Sequence, residues 1–143
     1  RQLVFAREQN VPVAFHIRDA HGDMLELLRT RKSELPAGVL HCFSGSAEMA
    51  KEVLKLGMYI GLGGAVTFKN ARKPLEVAEI IPEDRLLLET DCPYMTPVPF
   101  RGRRNSSDLI VYSAEKLAEV RHTNTQKLIN TANENARRLF KIE

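Results

Sequence analysis

Four short, almost unbroken apolar runs constrain this chain more than any other feature: Val11–Ile17, Gly38–Phe43, Met58–Leu62 and Arg85–Thr90. A strand with one wet face alternates apolar and polar residues, whereas a strand buried on both faces reads as a continuous apolar stretch, the habit of parallel sheets. Helix-length segments lie between the runs. Asp23–Arg31 gathers Met24, Leu27 and Leu28 on one face, and Ala47–Leu56 gathers Met49, Ala50, Val53 and Leu54 before Gly57 stops it. Pro74–Ile81 begins with a proline suited to a first helical turn. Strand followed by helix, repeated, predicts a parallel α/β fold. An amphipathic stretch around Leu3, Val4 and Phe5 opens the chain. A Pro- and Arg-rich loop from Cys92 to Asn105 follows the last run, and helices are predicted near 109–121 and 125–141. Thr123-Asn124-Thr125-Gln126 reads as a capping box for the second of them.

Composition narrows the function classes. The 143 residues are 43% hydrophobic and 27% charged, which suits a globular domain and excludes disordered or low-complexity chains. No apolar run is long enough for a membrane span, and the opening residues are too charged for a signal peptide. A net charge of +3 permits a phosphate-bearing partner without demanding one. Cys42 and Cys92 form no C-x-x-C, which points to a reducing cytoplasm and to packed thiols.

The chemistry-bearing residues share one position. His16, His41 and Asp91 lie at or just past the carboxyl ends of three of the runs, the edge at which parallel sheets and barrels bind ligands. Two imidazoles and a carboxylate are donor types for Zn²⁺, Mn²⁺ or a related divalent ion. Taken singly, each histidine reads better as a core residue and Asp91 as a turn cap before Pro93; their joint placement favours the metal. Residues 87, 89 and 91 share a strand face, so Glu89 is expected one layer below Asp91, orienting a ligand or paired structurally.

Five local words run through the chain in order: Pro12-Val13-Ala14-Phe15-His16-Ile17-Arg18-Asp19-Ala20, His41-Cys42-Phe43-Ser44-Gly45-Ser46, Gly63-Gly64-Ala65-Val66-Thr67-Phe68-Lys69-Asn70, Leu87-Leu88-Glu89-Thr90-Asp91-Cys92-Pro93-Tyr94 and Arg101-Gly102-Arg103-Arg104-Asn105. Together they closely resemble the TatD family of metal-dependent hydrolases. Asn135-Ala136-Arg137-Arg138-Leu139-Phe140 resembles the family's last helix. The resemblance implies a TIM-type (β/α)8 barrel and divalent-metal-dependent hydrolysis of DNA phosphodiester bonds. It implies His16, His41 and Asp91 as metal ligands, and Asp91, at the last strand, is the candidate for taking a proton from the attacking water. The metal would be Mg, Mn or Zn, two ions in the full-length protein. The family's first-strand H-x-D and its G-E-x-G-L-D segment have no counterpart here, so residues 1–143 are expected to be the carboxyl-terminal half of one barrel domain. Ser106-Ser107-Asp108 also stand where the family has Glu-Pro.

Three substrate contacts are expected. Arg101 and Asn105 lie on the long loop after the Asp91 run, where arginine can meet phosphate with two bonds. Ser44 lies beside a helix start whose free N–H groups suit a phosphate oxygen. Gly61-Leu62-Gly63-Gly64 is no dinucleotide fingerprint, since Val66 stands at the third glycine position; it is read as a tight turn over the site. His21 and His122 are read as surface residues. The expected partners are DNA, single-stranded or at its ends, and the missing amino-terminal half, without which the chain is expected to self-associate and to be inactive. Two readings compete: an amidohydrolase-type enzyme acting on a small molecule, and an inactive truncated fragment.

Overall fold

The computed structural model describes residues 1–142. Its frame is a four-stranded sheet, β1 (Val13–His16), β2 (Gly38–His41), β3 (Tyr59–Leu62) and β4 (Leu86–Leu88), every pairing parallel and the spatial order the same as the chain order. An order that never reverses has no switch point of the doubly wound kind, and right-handed crossovers then place the connecting helices on one face. The helices are α1 (Gln2–Glu8), α2 (His21–Thr30), α3 (Ala47–Lys55), α4 (Arg72–Ile80), α5 (Ile110–Val120) and α6 (Thr125–Phe140), of which α2, α3 and α4 connect successive strands. Among the described residues no helix is long and apolar enough to cross a membrane.

The period of two along each strand sorts the sheet into two faces. Phe15, Leu40, Ile60, Leu62 and Leu86 face the helices and join Leu28, Val53, Val77 and Leu117 in the main core. The opposite face has a lower apolar layer, Val39, Tyr59 and Leu87, covered by Leu139 and Ala136 of α6. Above that layer, toward the carboxyl edge, stand His16 and His41. Chemistry is thus confined to one end of one face.

The strands are shorter than the apolar runs, and the backbone says why. Cys42 adopts φ 46° and Asp91 φ 57°, left-handed conformations that turn the chain out of extended structure just after β2 and shortly after β4. The capping box is replaced by a single residue. Asn124, not Thr123, caps α6, its side-chain oxygen accepting from the amides of Gln126 and Lys127 at 2.9 and 3.1 Å. Ser46 caps α3 as expected, accepting from Met49 N–H.

The last helix does more than close the chain. Asn135, buried, donates to the carbonyls of Glu83 and Leu86 at 2.8 and 2.9 Å, and Lys141 reaches the carbonyl of Asn10 at 2.7 Å. Helix α6 therefore runs beneath the amino edge of the sheet, from the start of β4 to the residues before β1, opposite the histidine end.

Candidate functional site

Register builds the site. Val13 pairs with Gly38 and His16 with His41, so two strand-terminal histidines lie side by side, ring centroids 5.9 Å apart. Asp91 arrives from beyond β4. The turn Asp91–Tyr94 is closed by Tyr94 N–H donating to the Asp91 carbonyl at 3.0 Å. Its carboxylate Oδ1 comes to 3.1 Å from His41 Nε2. At this end of the sheet His41 thus neighbours His16 on one side and meets Asp91 on the other.

Glu89 completes the arrangement from below. The ladder continues one step past β4, Glu89 N–H donating to the Leu62 carbonyl, which fixes its side chain on the histidine face. Its Oε2 lies 2.9 Å from His41 Nδ1, and its Oε1 accepts from Cys42 N–H at 2.7 Å. Glycines make the space. A Cβ on Gly61 would overlap Oε2 of Glu89, one on Gly63 would press on the Glu89 backbone, and one on Gly64 would overlap the Met95 carbonyl. The glycine run therefore receives Glu89 and the loop after Asp91 at van der Waals distance. Burial pushes the Glu89 carboxyl upward, while His41 and the Cys42 amide pull it back. The Cys42 thiol, half buried beside Glu89 and Asp91, is raised to about 11, chiefly by burial.

His41 poses a chemical problem. Both ring nitrogens face carboxylate oxygens, and a neutral imidazole carries one N–H. With the proton on Nδ1, held by buried Glu89, the Nε2 lone pair is aimed at Asp91. That pair repels unless a proton or a cation lies between them. A ligand nitrogen whose other N–H is tied to a carboxylate is the usual arrangement around metal-bound histidine, so the donor chemistry of His41, Asp91 and adjacent His16 fits a divalent ion. Among the described residues no group of three His, Cys, Asp or Glu side chains stands close enough to enclose one.

The other expected residues divide. Ser44 is exposed at the same edge, its Oγ 3.1 Å from Nε2 of His21. His21, half buried at the start of α2, is thus tied to the loop after β2, an arrangement that the reading of it as plain surface missed and that spacing alone does not signal. Arg101 is exposed; it donates to the Thr96 carbonyl at 2.9 Å and stacks 3.9 Å above the Phe68 ring. Asn105 requires a correction. It is buried, with its amide hydrogens committed to the carbonyls of Thr90 and Tyr94 at 2.8 and 2.6 Å and its oxygen accepting from Ser106 N–H. No donor remains for a phosphate, and its work is to clamp the turn that carries Asp91. Cys92 is likewise exposed rather than packed, and the hydroxyls of Thr90 and Ser107 lower its pKa. A small cavity lined by Arg121, Lys127 and Thr131 has room for about one water, about 20 Å³, and lies beside the start of β4 at the opposite edge.

Comparison with known proteins bears on the same residues. A family model described as TatD related DNase matches residues 1–141. An uncharacterized metal-dependent hydrolase of Bacillus subtilis, YabD, is 48% identical over 141 residues, which cover 99% of this chain and 55% of the relative. A protein of Pectobacterium atrosepticum named 3'-5' ssDNA/RNA exonuclease TatD is 40% identical over 148 residues, covering 99% of this chain and 56% of the relative. Among solved structures, YJJV, a TatD homologue from Escherichia coli, superposes with a TM-score of 0.90 at 33% identity, over 99% of this chain and 54% of that one. The chain spans about half the length of the curated relatives it matches.

Proposed function

The chain belongs to the TatD related DNase family of metal-dependent hydrolases, with the family's TIM-type barrel fold, and we propose that residues 1–143 are the half of that barrel which supplies His16, His41 and Asp91 to a divalent-metal centre cleaving DNA phosphodiester bonds. The observation that carries the reading is the His41 imidazole held between Glu89 and Asp91, with its Nε2 lone pair directed at a carboxylate. The unpaired outer edges of β1 and β4 support the half-barrel part of it, since closure requires a strand on each.

A bound divalent ion supplies Lewis acidity toward the phosphoryl oxygen and makes an attacking water more acidic. Imidazole donors suit Zn²⁺ or Mn²⁺, carboxylate donors suit Mg²⁺, and two ions are proposed for the whole protein. The chain's own groups do the remaining work. Glu89 holds the Nδ1–H tautomer of His41 and so keeps Nε2 available. Asp91 accepts the proton lost by the water, a role suited to a carboxylate at the exposed end of the site. Asn105 fixes the turn that aims it. Ser44, exposed at this edge, contacts a substrate phosphate, and Arg101, exposed on the loop after β4, contacts the substrate beyond it. DNA, single-stranded or at an end, is the proposed substrate, supported by the name of the Pectobacterium relative.

The test uses the whole protein that contains this chain and a labelled single-stranded oligonucleotide. Cleavage should require an added divalent ion, and Asp91→Asn should lower it about 100-fold or more, the range for loss of a general base. Equal cleavage with and without a chelator, or turnover only on an amide or lactone panel, would sink the reading.

A further inference from the structure

A second feature lies on the same carboxyl edge, between the segment after β3 and the long loop after β4. Phe68, Lys69, Asn70, Val98 and Arg101 line an open cleft of about 270 Å³. Its walls are tied together. Thr67 Oγ1 donates to the Gly64 carbonyl at 2.7 Å and accepts from Val98 N–H at 2.9 Å, and buried Thr96 donates to the Arg103 carbonyl at 2.7 Å. Phe100 packs edge-on against Tyr112 of α5 with centroids 4.9 Å apart. The cleft is therefore preformed.

Its chemistry is specific. Arg101 is held on both sides, by the Thr96 carbonyl and by the Phe68 ring 3.9 Å below its guanidinium, which leaves the outer guanidinium face open. Lys69 is exposed on the neighbouring wall, and among the described residues no carboxylate is within salt-bridge distance of either cation. Exposed cations attract anions. A flat, pre-stacked guanidinium also offers a platform to a nucleobase, and stacking tolerates any base.

We propose that this cleft is a nucleotide subsite: the base stacks on the Arg101–Phe68 pair, Lys69 meets the adjoining phosphate, and the strand is thereby led to the His41–Asp91 end. The proposal rests on the phosphodiesterase reading and names the part of the substrate beyond the scissile bond. It makes single-stranded nucleic acid, whose bases are free to stack, the preferred ligand of the edge. Contact through Lys69 and the stacked pair is independent of sequence.

The experiment measures binding of a fluorescent oligothymidylate to the whole protein in EDTA, which removes catalysis from the readout, and separately the hydrolysis of the oligonucleotide and of methyl p-nitrophenyl phosphate with added metal. Lys69→Ala should weaken binding several-fold and flatten the salt dependence by somewhat less than one charge. Phe68→Leu, which keeps an apolar contact but no ring, should weaken binding about tenfold at every salt concentration. Both should lower the selectivity for oligonucleotide over the small diester. Lys69 is exposed, so its variant is expected to fold normally even if Phe68→Leu does not. Oligothymidylate affinity within twofold of wild type in folded Lys69→Ala, with its salt slope unchanged, overturns the subsite and leaves the hydrolase reading standing. Binding defects in a protein that hydrolyses neither diester support the subsite and overturn the phosphodiesterase reading.

Discussion

Glu89 and Gly61 form a pair in which one residue's missing side chain is the other's binding site. The carboxylate occupies the volume that a Cβ at position 61 would take, and from there it holds His41 Nδ1 and Cys42 N–H. Two substitutions should therefore converge on one phenotype. Gly61→Ala displaces the flexible end of Glu89 more than it disturbs the core, so the fold should survive while His41 loses its anchor. Glu89→Gln keeps an acceptor for one N–H and removes the charge. Each should cost about 10- to 100-fold in metal affinity or activity of the whole protein, the usual loss when the group behind a ligand histidine is changed. Metal titration by calorimetry checks this. Unchanged affinity in Gly61→Ala would show that Glu89 plays no part in orienting the imidazole.

At the scale of elements, α6 ties the amino edge of the sheet together. Its Asn135 is buried, and its amide satisfies two carbonyls at the foot of β4. Removing the amide leaves both carbonyls without a partner and opens a small cavity. Asn135→Ala should destabilise by about 3 kcal/mol, lowering the thermal midpoint by roughly 10 °C. Because α6 lies under the amino edge of the sheet, metal binding at the carboxyl edge of the folded protein should be nearly unchanged. A midpoint within a degree or two of wild type would show that water replaces the amide. The loop after β4 shows the opposite division of labour: it is stabilised from within by Asn105, and what it stabilises is the aim of Asp91.

At the scale of the molecule, the sheet's histidine-bearing face is covered only in part. Ala14 and His16 of β1 are exposed on it, and only the lower layer is closed by α6. The outer edges of β1 and β4 also offer unpaired backbone groups. Residues 1–143 expressed alone should therefore self-associate, and sedimentation should show assemblies that dissociate when the rest of the barrel is supplied. A stable, metal-loaded and active monomer of residues 1–143 would contradict the half-barrel reading.

How much of this was legible beforehand differs by feature. The strands, their parallel sense and the residue set at their carboxyl ends could be read from residue order, because burial on both faces leaves a continuous apolar run and period-two alternation assigns each side chain a face. The strand-end positions of His16, His41 and Asp91, and a shared face for Glu89 and Asp91, followed from that local geometry. Tertiary structure alone decided the partners. That His16 pairs with His41 is a matter of register, and that one imidazole stands between two carboxylates depends on Gly61 and on the left-handed turn at Asp91. Asn105 could not be assigned in advance, since an exposed phosphate ligand and a buried loop clamp use the same amide; which bonds it makes depends on a fold-back of the chain onto Thr90 and Tyr94. The same holds for Lys141 reaching Asn10: contacts between residues distant in the chain leave no periodic trace, because nothing in the spacing of one segment encodes the position of the other.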